Sequence, residues 1–322
     1  MRQFAKPTIV VSKCLEFDAC RYNGEMIPDV TIRNLQPFVT FITVCPEVEI
    51  GLGTPRETIR IVEENGENRL VQPSTREDVT EKMERFSNDF LQTIPDVDGF
   101  ILKNRSPSCG TRDVKIYSGS EKAPAKGKGS GLFGGAVVKN FSHLPIEEEG
   151  RLSNFIIREH FFTRLFTIAY YKMIKHNKNM KDLVSFQSDN KYLFMAYNQV
   201  KQKELGRIIA NQKNEKIEVV FENYEKTLYE LFMRTPRYTS NVNVCEHIFG
   251  YFKTKLKKQE KDHFIELLQK YAEKKIPLSS LLTILKSWAI RFDEKYLLRQ
   301  TYFEPYPEAL VEISDSGKGR DY

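Results

Sequence analysis

Up to about residue 150 the apolar residues come in short β-branched runs separated by helix-like stretches; from Arg151 onward they recur at helical spacing only. The two patterns cannot be exchanged, because side chains repeat about every 3.6 residues around a helix and about every 2 along a strand. The chain is therefore read as an α/β N-terminal domain with a largely parallel sheet, residues 1–148, followed by an all-α domain, residues 149–322. A length of 322 residues suits two domains. No stretch approaches the roughly 18 apolar residues of a membrane span, and the N-terminal TIVV run is too short for a signal-peptide core. A cytoplasmic protein with reduced thiols is expected.

In the first part, Thr8-Ile-Val-Val11 and Val39–Val44 read as buried strands, each ending just before a cysteine. Ile59–Val62 and Arg69–Val71 flank Asn65-Gly66, the dipeptide of a tight hairpin. Ser74 with Glu77 three residues on forms a capping-box pattern, which predicts a helix from there to about Gln92. Gly99–Leu102 is a further strand, and it leads to the cysteine region Ser106–Gly110. Ligands of parallel sheets bind at the carboxyl ends of the strands, where three cysteine-bearing loops could meet. Residues 118–135 hold six of the 17 glycines and read mostly as a flexible loop, whose end, Gly129-Ser-Gly-Leu-Phe133, can close over a site. With no strand leading directly into that loop, a dinucleotide fingerprint is rejected. The acidic Glu147-Glu-Glu-Gly150 reads as the linker. Beyond it, helices are predicted from Ser153 to about His176 and near 178–188, 190–210, 215–234, 241–256, 258–274 and 277–298.

Charge divides as the pattern does. Residues 1–150 carry 19 Lys and Arg against 22 Asp and Glu, a net −3; the rest carries 30 against 21, a net +9. The basic part points to an anionic partner. Cys14, Cys20, Cys45 and Cys109 lie in the acidic part, and Cys245 alone in the basic one. No CxxC pair exists among them, so a zinc ribbon or a thioredoxin motif is unsupported. The spacing alone is equally compatible with buried, inert cysteines. Position argues otherwise: Cys14, Cys45 and Cys109 follow predicted strands, two of them within Pro- or Gly-rich turns, and Lys13, Arg21, Lys103, Arg105 and Arg112 lie near in sequence to favour thiolates. Thiolates on separate loops suit an iron–sulfur cluster or a metal. Three ligands on a cubane leave one iron open as a Lewis acid, and four suit electron transfer, so the role of Cys20 is the ambiguity to resolve.

Cys14-Leu15 with Cys20-Arg-Tyr-Asn-Gly24, Val44-Cys-Pro-Glu-Val48 with Gly51-Leu-Gly-Thr-Pro-Arg56, and Lys103-Asn-Arg-Ser-Pro-Ser-Cys-Gly110 resemble, in the family's order, the TudS-like thiouracil desulfidase domain over nearly all of residues 7–142. The resemblance implies a 4Fe-4S cluster on Cys14, Cys45 and Cys109, with the fourth iron taking the sulfur of a thiolated pyrimidine in a non-redox, hydrolytic desulfurisation. It gives Cys20 a structural or accessory role. It carries over Glu47 as catalytic carboxylate and a serine, Ser106 or Ser108, with Ser106 preferred. A carboxylate can take a proton from attacking water and a hydroxyl can hold or protonate the ring. Arg56 and Lys103 are candidates for positioning substrate or lowering thiolate pKa values. This chain departs from the family at Glu16-Phe-Asp-Ala19, where Leu-Gly is common after the first cysteine.

In the basic part, His160–Phe166, Asn243–Phe252 and Tyr296–Pro307 are similar to the YbgA-like helical domain, over about residues 155–310. A TudS-like domain followed by this one is the RudS-type arrangement, which implies sulfur removal from 4-thiouridine in tRNA with the helical domain as RNA grip. The residues agree: Lys172, Lys175, Lys178 and Lys181 recur at spacing three, and Lys253, Lys255, Lys257, Lys258 and Lys261 cluster, with Tyr and Phe interleaved. Such groups neutralise phosphates and stack on extruded bases; the bland alternative is a solvated face over an aromatic core. Lys172, Lys175, Lys253 and Lys257 are the candidate RNA contacts, and His160 and His247 are read as structural. The expected function is an iron–sulfur tRNA 4-thiouridine desulfidase. The alternatives are a desulfidase of free 4-thiouracil or thionucleosides and a non-catalytic RNA-binding iron–sulfur protein.

Overall fold

The computed structural model describes residues 2–119, 123–211 and 214–312. Their contacts group them into two compact units, one built on the chain up to Ala169 and rejoined from Pro307, the other on Tyr170–Tyr306. No helix among the described residues is long and apolar enough to cross a membrane.

The first unit runs through β1 (Thr8–Ser12), α1 (Val30–Leu35), β2 (Thr40–Val44), α2 (Pro46–Glu49), β3 (Arg60–Glu64), β4 (Glu67–Gln72), β5 (Glu77–Asp78), α3 (Thr80–Thr93), β6 (Gly99–Leu102), β7 (Val114–Tyr117), β8 (Ala125–Gly129), α4 (Leu132–Phe141), β9 (Ile146–Glu148), α5 (Glu149–Leu152) and the first part of α6 (Phe155–Asn177). One sheet, ordered β2-β1-β6-β9, is parallel throughout. Ile9, Val10 and Val11 of β1 and Phe100, Ile101 and Leu102 of β6 are wholly buried, as expected of strands covered on both faces. Register sets Ser12 opposite Val44, and Val11 opposite Ile101, so β1, β2 and β6 finish along one edge. Successive strands β1 and β2 lie on one side and β6 on the other, which makes the edge beside β1 a topological switch point.

A second, mixed sheet is ordered β5-β4-β3-β7-β8, with only β3 and β7 parallel. The expected hairpin is present, with β3 antiparallel to β4 and both turn residues at positive φ, Asn65 at 53° and Gly66 at 84°. Three local expectations fail. Ser74 opens no helix: Glu77 and Asp78 pair with β4, and the Asp78 side chain instead accepts from the amide of Thr80 (2.9 Å), where α3 begins. The glycine-rich segment expected to be a loop without a leading strand follows β7, and its residues 125–129 form β8; residues 120–122 lie outside the described ones. The acidic segment expected as a linker is β9 and the start of α5, inside the first unit, which runs past 148 to Ala169.

The second unit contains the end of α6, then α7 (Met180–Asp189), α8 (Lys191–Tyr197), α9 (Gln199–Ala210), α10 (Ile217–Leu231), α11 (Tyr238–Gly250), α12 (Lys258–Ala272), α13 (Leu278–Arg291) and α14 (Lys295–Leu298). The helix expected over 190–210 breaks at Asn198, whose side chain accepts from the amides of Val200 and Lys201 (both 3.1 Å) and so caps α9. The one expected over 277–298 breaks at Asp293, in left-handed conformation at φ 49°. Asn154, not Ser153, caps α6, accepting from the amide of Ile157 (3.1 Å). The core of this unit is aromatic, with Tyr171, Phe186, Phe194, Phe221, Tyr224 and Phe232 buried together. Its buried hydroxyls are satisfied: Tyr171 donates to the carbonyl of Phe221 and Tyr224 to Gln187 Oε1, both at 2.6 Å.

Candidate active site

Three thiols emerge where three neighbouring parallel strands end. Cys14 lies two residues beyond β1, Cys45 directly follows β2 and starts α2, and Cys109 is on the loop after β6. The two outer connections are tied to the central one: the amide of Lys13 donates to the carbonyl of Val44 (2.8 Å), and that of Lys103 to Ser12 Oγ (2.9 Å). All five cysteines are free thiols. Cys45 and Cys109 are buried and Cys14 half-buried; Cys45 acts on the Cys14 thiol, and Cys14 and Cys45 both act on that of Cys109.

Nearby cations were expected to favour thiolates; at Cys14 Lys103 and Arg21 do act in that direction, and burial outweighs them. Burial raises the Cys14 thiol to about 12, with Cys45 adding to the rise and Lys103 and Arg21 opposing it only in part. Burial raises Cys109 further, against a hydrogen bond from Ser12. Three of those cations are engaged with other groups: Lys13 pairs with Asp18 (2.8 Å), Arg21 with Glu25 (3.5 Å), and Lys103 with Glu149 and the Asn104 side chain. Metal uptake must therefore expel protons from this site.

Cys20 is buried beside Cys45, whose thiol donates to the Cys20 carbonyl (3.7 Å). Burial raises its own thiol to about 12, and Cys45 and Cys14 contribute. Its carbonyl also accepts from Arg56 Nη1 (2.9 Å), so the Cys20 backbone ties the first motif to the second. The departure after Cys14 has a structural answer. Glu16 takes φ 68°, a conformation that glycine adopts freely and other residues at a cost of about 1–2 kcal/mol. Its carboxylate offsets that cost by accepting from the amide of Asp29, the N-cap of α1, and from Arg33 (2.8 Å) in the last turn of that helix.

Glu47, on α2, is the hub of the polar side of the site. Its Oε2 accepts from Arg56 Nε (2.8 Å) and Nη2 (2.7 Å), a two-pronged contact with an almost fully buried guanidinium. Its Oε1 accepts from Ser108 Oγ (2.6 Å). Ser108 Oγ lies 2.9 Å from Ser106 Oγ, and Ser106 Oγ accepts from the amide of Cys109 (3.1 Å). Ser108 is buried, and Ser106 is the more exposed of the two. A line of oxygens therefore runs from Glu47 through Ser108 to Ser106, with the Cys109 thiol 3.8 Å from Ser108 Oγ. Arg56 Nη2 is 4.0 Å from Cys45 Sγ, so one guanidinium touches both a thiol and the carboxylate.

The glycine segment closes over this arrangement. The amides of Leu132 and Gly134 donate to the carbonyls of Pro107 (3.2 Å) and Ser108 (2.9 Å), and a side chain at Gly134 would come within 2.4 Å of the Cys109 carbonyl. Glycine at that position is what lets α4 lie against the cysteine loop. Ser12, which ties the β1 end to both Lys103 and Cys109, had no signal in the sequence beyond its place as the last residue of a strand.

Among the described residues no three His, Cys, Asp or Glu side chains are gathered as tightly as a single ion requires. A cubane spreads its ligands over separate irons, and the donor set here is three thiols from three loops, a soft set suited to iron–sulfur ligation. Cys14, Cys45 and Cys109 are the residues that fit such a group.

The basic candidates belong to the second unit. Lys175 pairs with Glu225 (2.7 Å) and Lys178 with Glu218 (3.4 Å), so both reach across to α10. Lys172 is half-buried, Lys253 Nζ stands 5.7 Å over the Phe249 ring, and Lys257 is exposed. Burial lowers His160 to about 3, with Arg164 adding to the effect; His247 is exposed.

A model of the family described as 2-thiouracil desulfurase matches residues 9–149, and one described as a protein of unknown function (DUF1722) matches residues 191–307. The chain is 34% identical over 147 residues to the uncharacterized protein YbbK of Bacillus subtilis (strain 168), covering 44% of this chain and 95% of that protein. It is 22% identical over 156 residues to the uncharacterized protein YbgA of Escherichia coli (strain K12), covering 48% of this chain and 92% of that one. A solved structure of the [4Fe-4S]-dependent thiouracil desulfidase TudS is 26% identical, over 46% of this chain and 93% of the other, with a TM-score of 0.35. By its three-motif thiol edge and its identity to YbbK, the chain belongs to the 2-thiouracil desulfurase family, and it carries a DUF1722 domain after it.

Proposed function

We propose that this chain is an iron–sulfur desulfidase that takes the sulfur from 4-thiouridine in tRNA, leaving uridine and hydrogen sulfide without net redox change. The observation that carries the chemistry is the 2.6 Å contact of Ser108 with Glu47 beside three thiols on one sheet edge. Cys14, Cys45 and Cys109 would hold a 4Fe-4S cluster, which supplies when bound an open iron that polarises a thiocarbonyl. The remaining work falls to side chains. Glu47, fixed in orientation by Arg56, takes a proton from the water that attacks C4 of the pyrimidine. Ser108 links that carboxylate to Ser106, whose more exposed hydroxyl reaches the ring. Water supplies the oxygen of the new C4 carbonyl, and its two protons leave with the sulfur.

The net +9 of residues 151–322 and the exposed Lys253 and Lys257 support an RNA substrate. The pairing of Lys175 and Lys178 with glutamates, and the family's description by a free base, favour a second reading, a desulfidase of free 4-thiouracil or thionucleosides. The deciding experiment incubates anaerobically prepared, iron-loaded protein with 4-thiouridine-containing tRNA, with and without free 4-thiouracil as competitor. The near-UV absorption of the thiolated tRNA should disappear, and excess thiouracil should slow its loss only weakly. Loss confined to thiouracil would transfer the activity to the free base. TRNA binding with no loss of absorption would leave a non-catalytic RNA-binding iron–sulfur protein.

A further inference from the structure

We propose that Glu148 and Glu149 clamp the two ends of the Cys109 loop and thereby set the position of that thiol and its two serines. Glu148 closes β9 and is 3% exposed. Its Oε1 accepts three hydrogen bonds from one turn: from the amide of Thr111 (2.7 Å), the Thr111 hydroxyl (3.0 Å) and the amide of Arg112 (3.2 Å). Glu149 opens α5; its Oε2 accepts from the amide of Asn104 (2.7 Å), and its Oε1 pairs with the Lys103 ammonium. Ser106, Ser108 and Cys109 lie between these two anchor points.

Neighbouring residues of a continuing strand point to opposite faces and could not both serve one loop. Here the strand ends at Glu148 and a helix starts at Glu149, and that change of direction turns both carboxylates onto the same loop. β9 pairs with β6 so that Glu148 stands opposite Leu102, the residue from which the loop departs. A carboxylate this deeply buried persists only with its hydrogen bonds made, so the fixed element is the strand and the element held by it is the loop. The middle of the loop rests on the amides of Leu132 and Gly134, and its ends are held by the two glutamates together with Ser12, which takes the Lys103 amide, and the Gly131 amide, which meets the Gly110 carbonyl.

The inference deepens the desulfidase reading, because it concerns the same thiol and serines, but its test needs neither iron nor turnover. Metal-free, reduced, full-length protein is treated with iodoacetamide, and labelling of each cysteine is timed by peptide mass spectrometry. Glu148→Ala should speed labelling of Cys109 by about tenfold or more, since hydrogen bonds to a buried charge are lost there, while Cys20, Cys45 and Cys245 keep their rates. Glu148→Gln, which keeps an acceptor, should fall between. Thr111→Val, which removes one hydroxyl donor and leaves the buried carboxylate, should give a smaller rise confined to Cys109. An unchanged Cys109 rate in Glu148→Ala overturns the clamp. So does a Cys109 rate that rises only in step with Cys20 and Cys45 of the same unit, together with no change in Thr111→Val. A failure of the desulfidase reading shows only in turnover and leaves these rates as they are.

Discussion

Arg56 and Ser108 hold opposite oxygens of one carboxylate, and that division fixes the orientation in which Glu47, the proposed base, would act. The guanidinium occupies Oε2 from two directions and leaves Oε1 to the serine line. Glu47→Gln should therefore lower kcat by about 10²–10⁴-fold, the usual contribution of a positioned base, with the visible absorption of the iron-loaded protein retained. Ser108→Ala should cost more than Ser106→Ala, because only Ser108 touches the carboxylate. Steady-state kinetics on the three variants, beside their absorption spectra, checks both statements. That the thiols and Glu47 gather at one sheet edge could be read from the sequence, because they sit within short motifs that end strands. The choice between the serines was not, since which hydroxyl meets a carboxylate 61 or 59 residues away depends on the fold of the loop. At Cys14 the pull of nearby cations is outweighed for a related reason: sequence proximity counts for little once burial dominates and Lys13, Arg21 and Lys103 are paired with acids.

Elements whose signal is local were legible, and those whose partner is remote were not. Asn65-Gly66 specifies its hairpin through the positive φ that its own backbone needs. Glu147–Glu149 looked like a solvated linker because nothing in the run itself reveals the amides of Thr111, Arg112 and Asn104 that bury it. Ser74 failed as a cap because Glu77 and Asp78 pair with β4 instead. Helix α6 carries a further consequence. His160 is lowered from 6.5 to about 3, chiefly by burial, so the folded chain holds this imidazole neutral where the unfolded chain would protonate it. Its contribution to stability is complete above pH 6.5 and is lost as pH falls from there toward 3. The cost approaches about 1.4 kcal/mol for each pH unit below the unfolded value. The neighbouring Glu159, raised by burial from 4.5 to about 7, contributes with the opposite sign over that range, so His160→Gln, which cannot titrate, should make the chain more stable relative to the parent at pH 4.5 than at pH 6.5, measured by urea unfolding. An unchanged slope would show that His160 does not govern the acid limb.

Charge and cysteine content divide between the same two parts of the chain. The net −3 of residues 1–150 accompanies the thiol edge, and the net +9 of the rest accompanies an aromatic helical core with one enclosed cysteine, Cys245. The only tryptophan of the sequence, Trp288, lies in that helical core against Phe249, Phe252 and Phe264, so its emission reports the second unit alone. A bound group stabilises only the part that binds it, by about 2.7 kcal/mol when present at about a hundred times its dissociation constant. Removing iron by oxidation and chelation should therefore lower the calorimetric transition of the first unit by several degrees, while the midpoint of Trp288 emission moves by less than about 2 °C. Each unit has its own core, and the three candidate ligands all lie in the first, which is why the two readouts should separate. A Trp288 midpoint that falls in step with the calorimetric one would mean that the continuous helix α6 couples the units into a single cooperative transition.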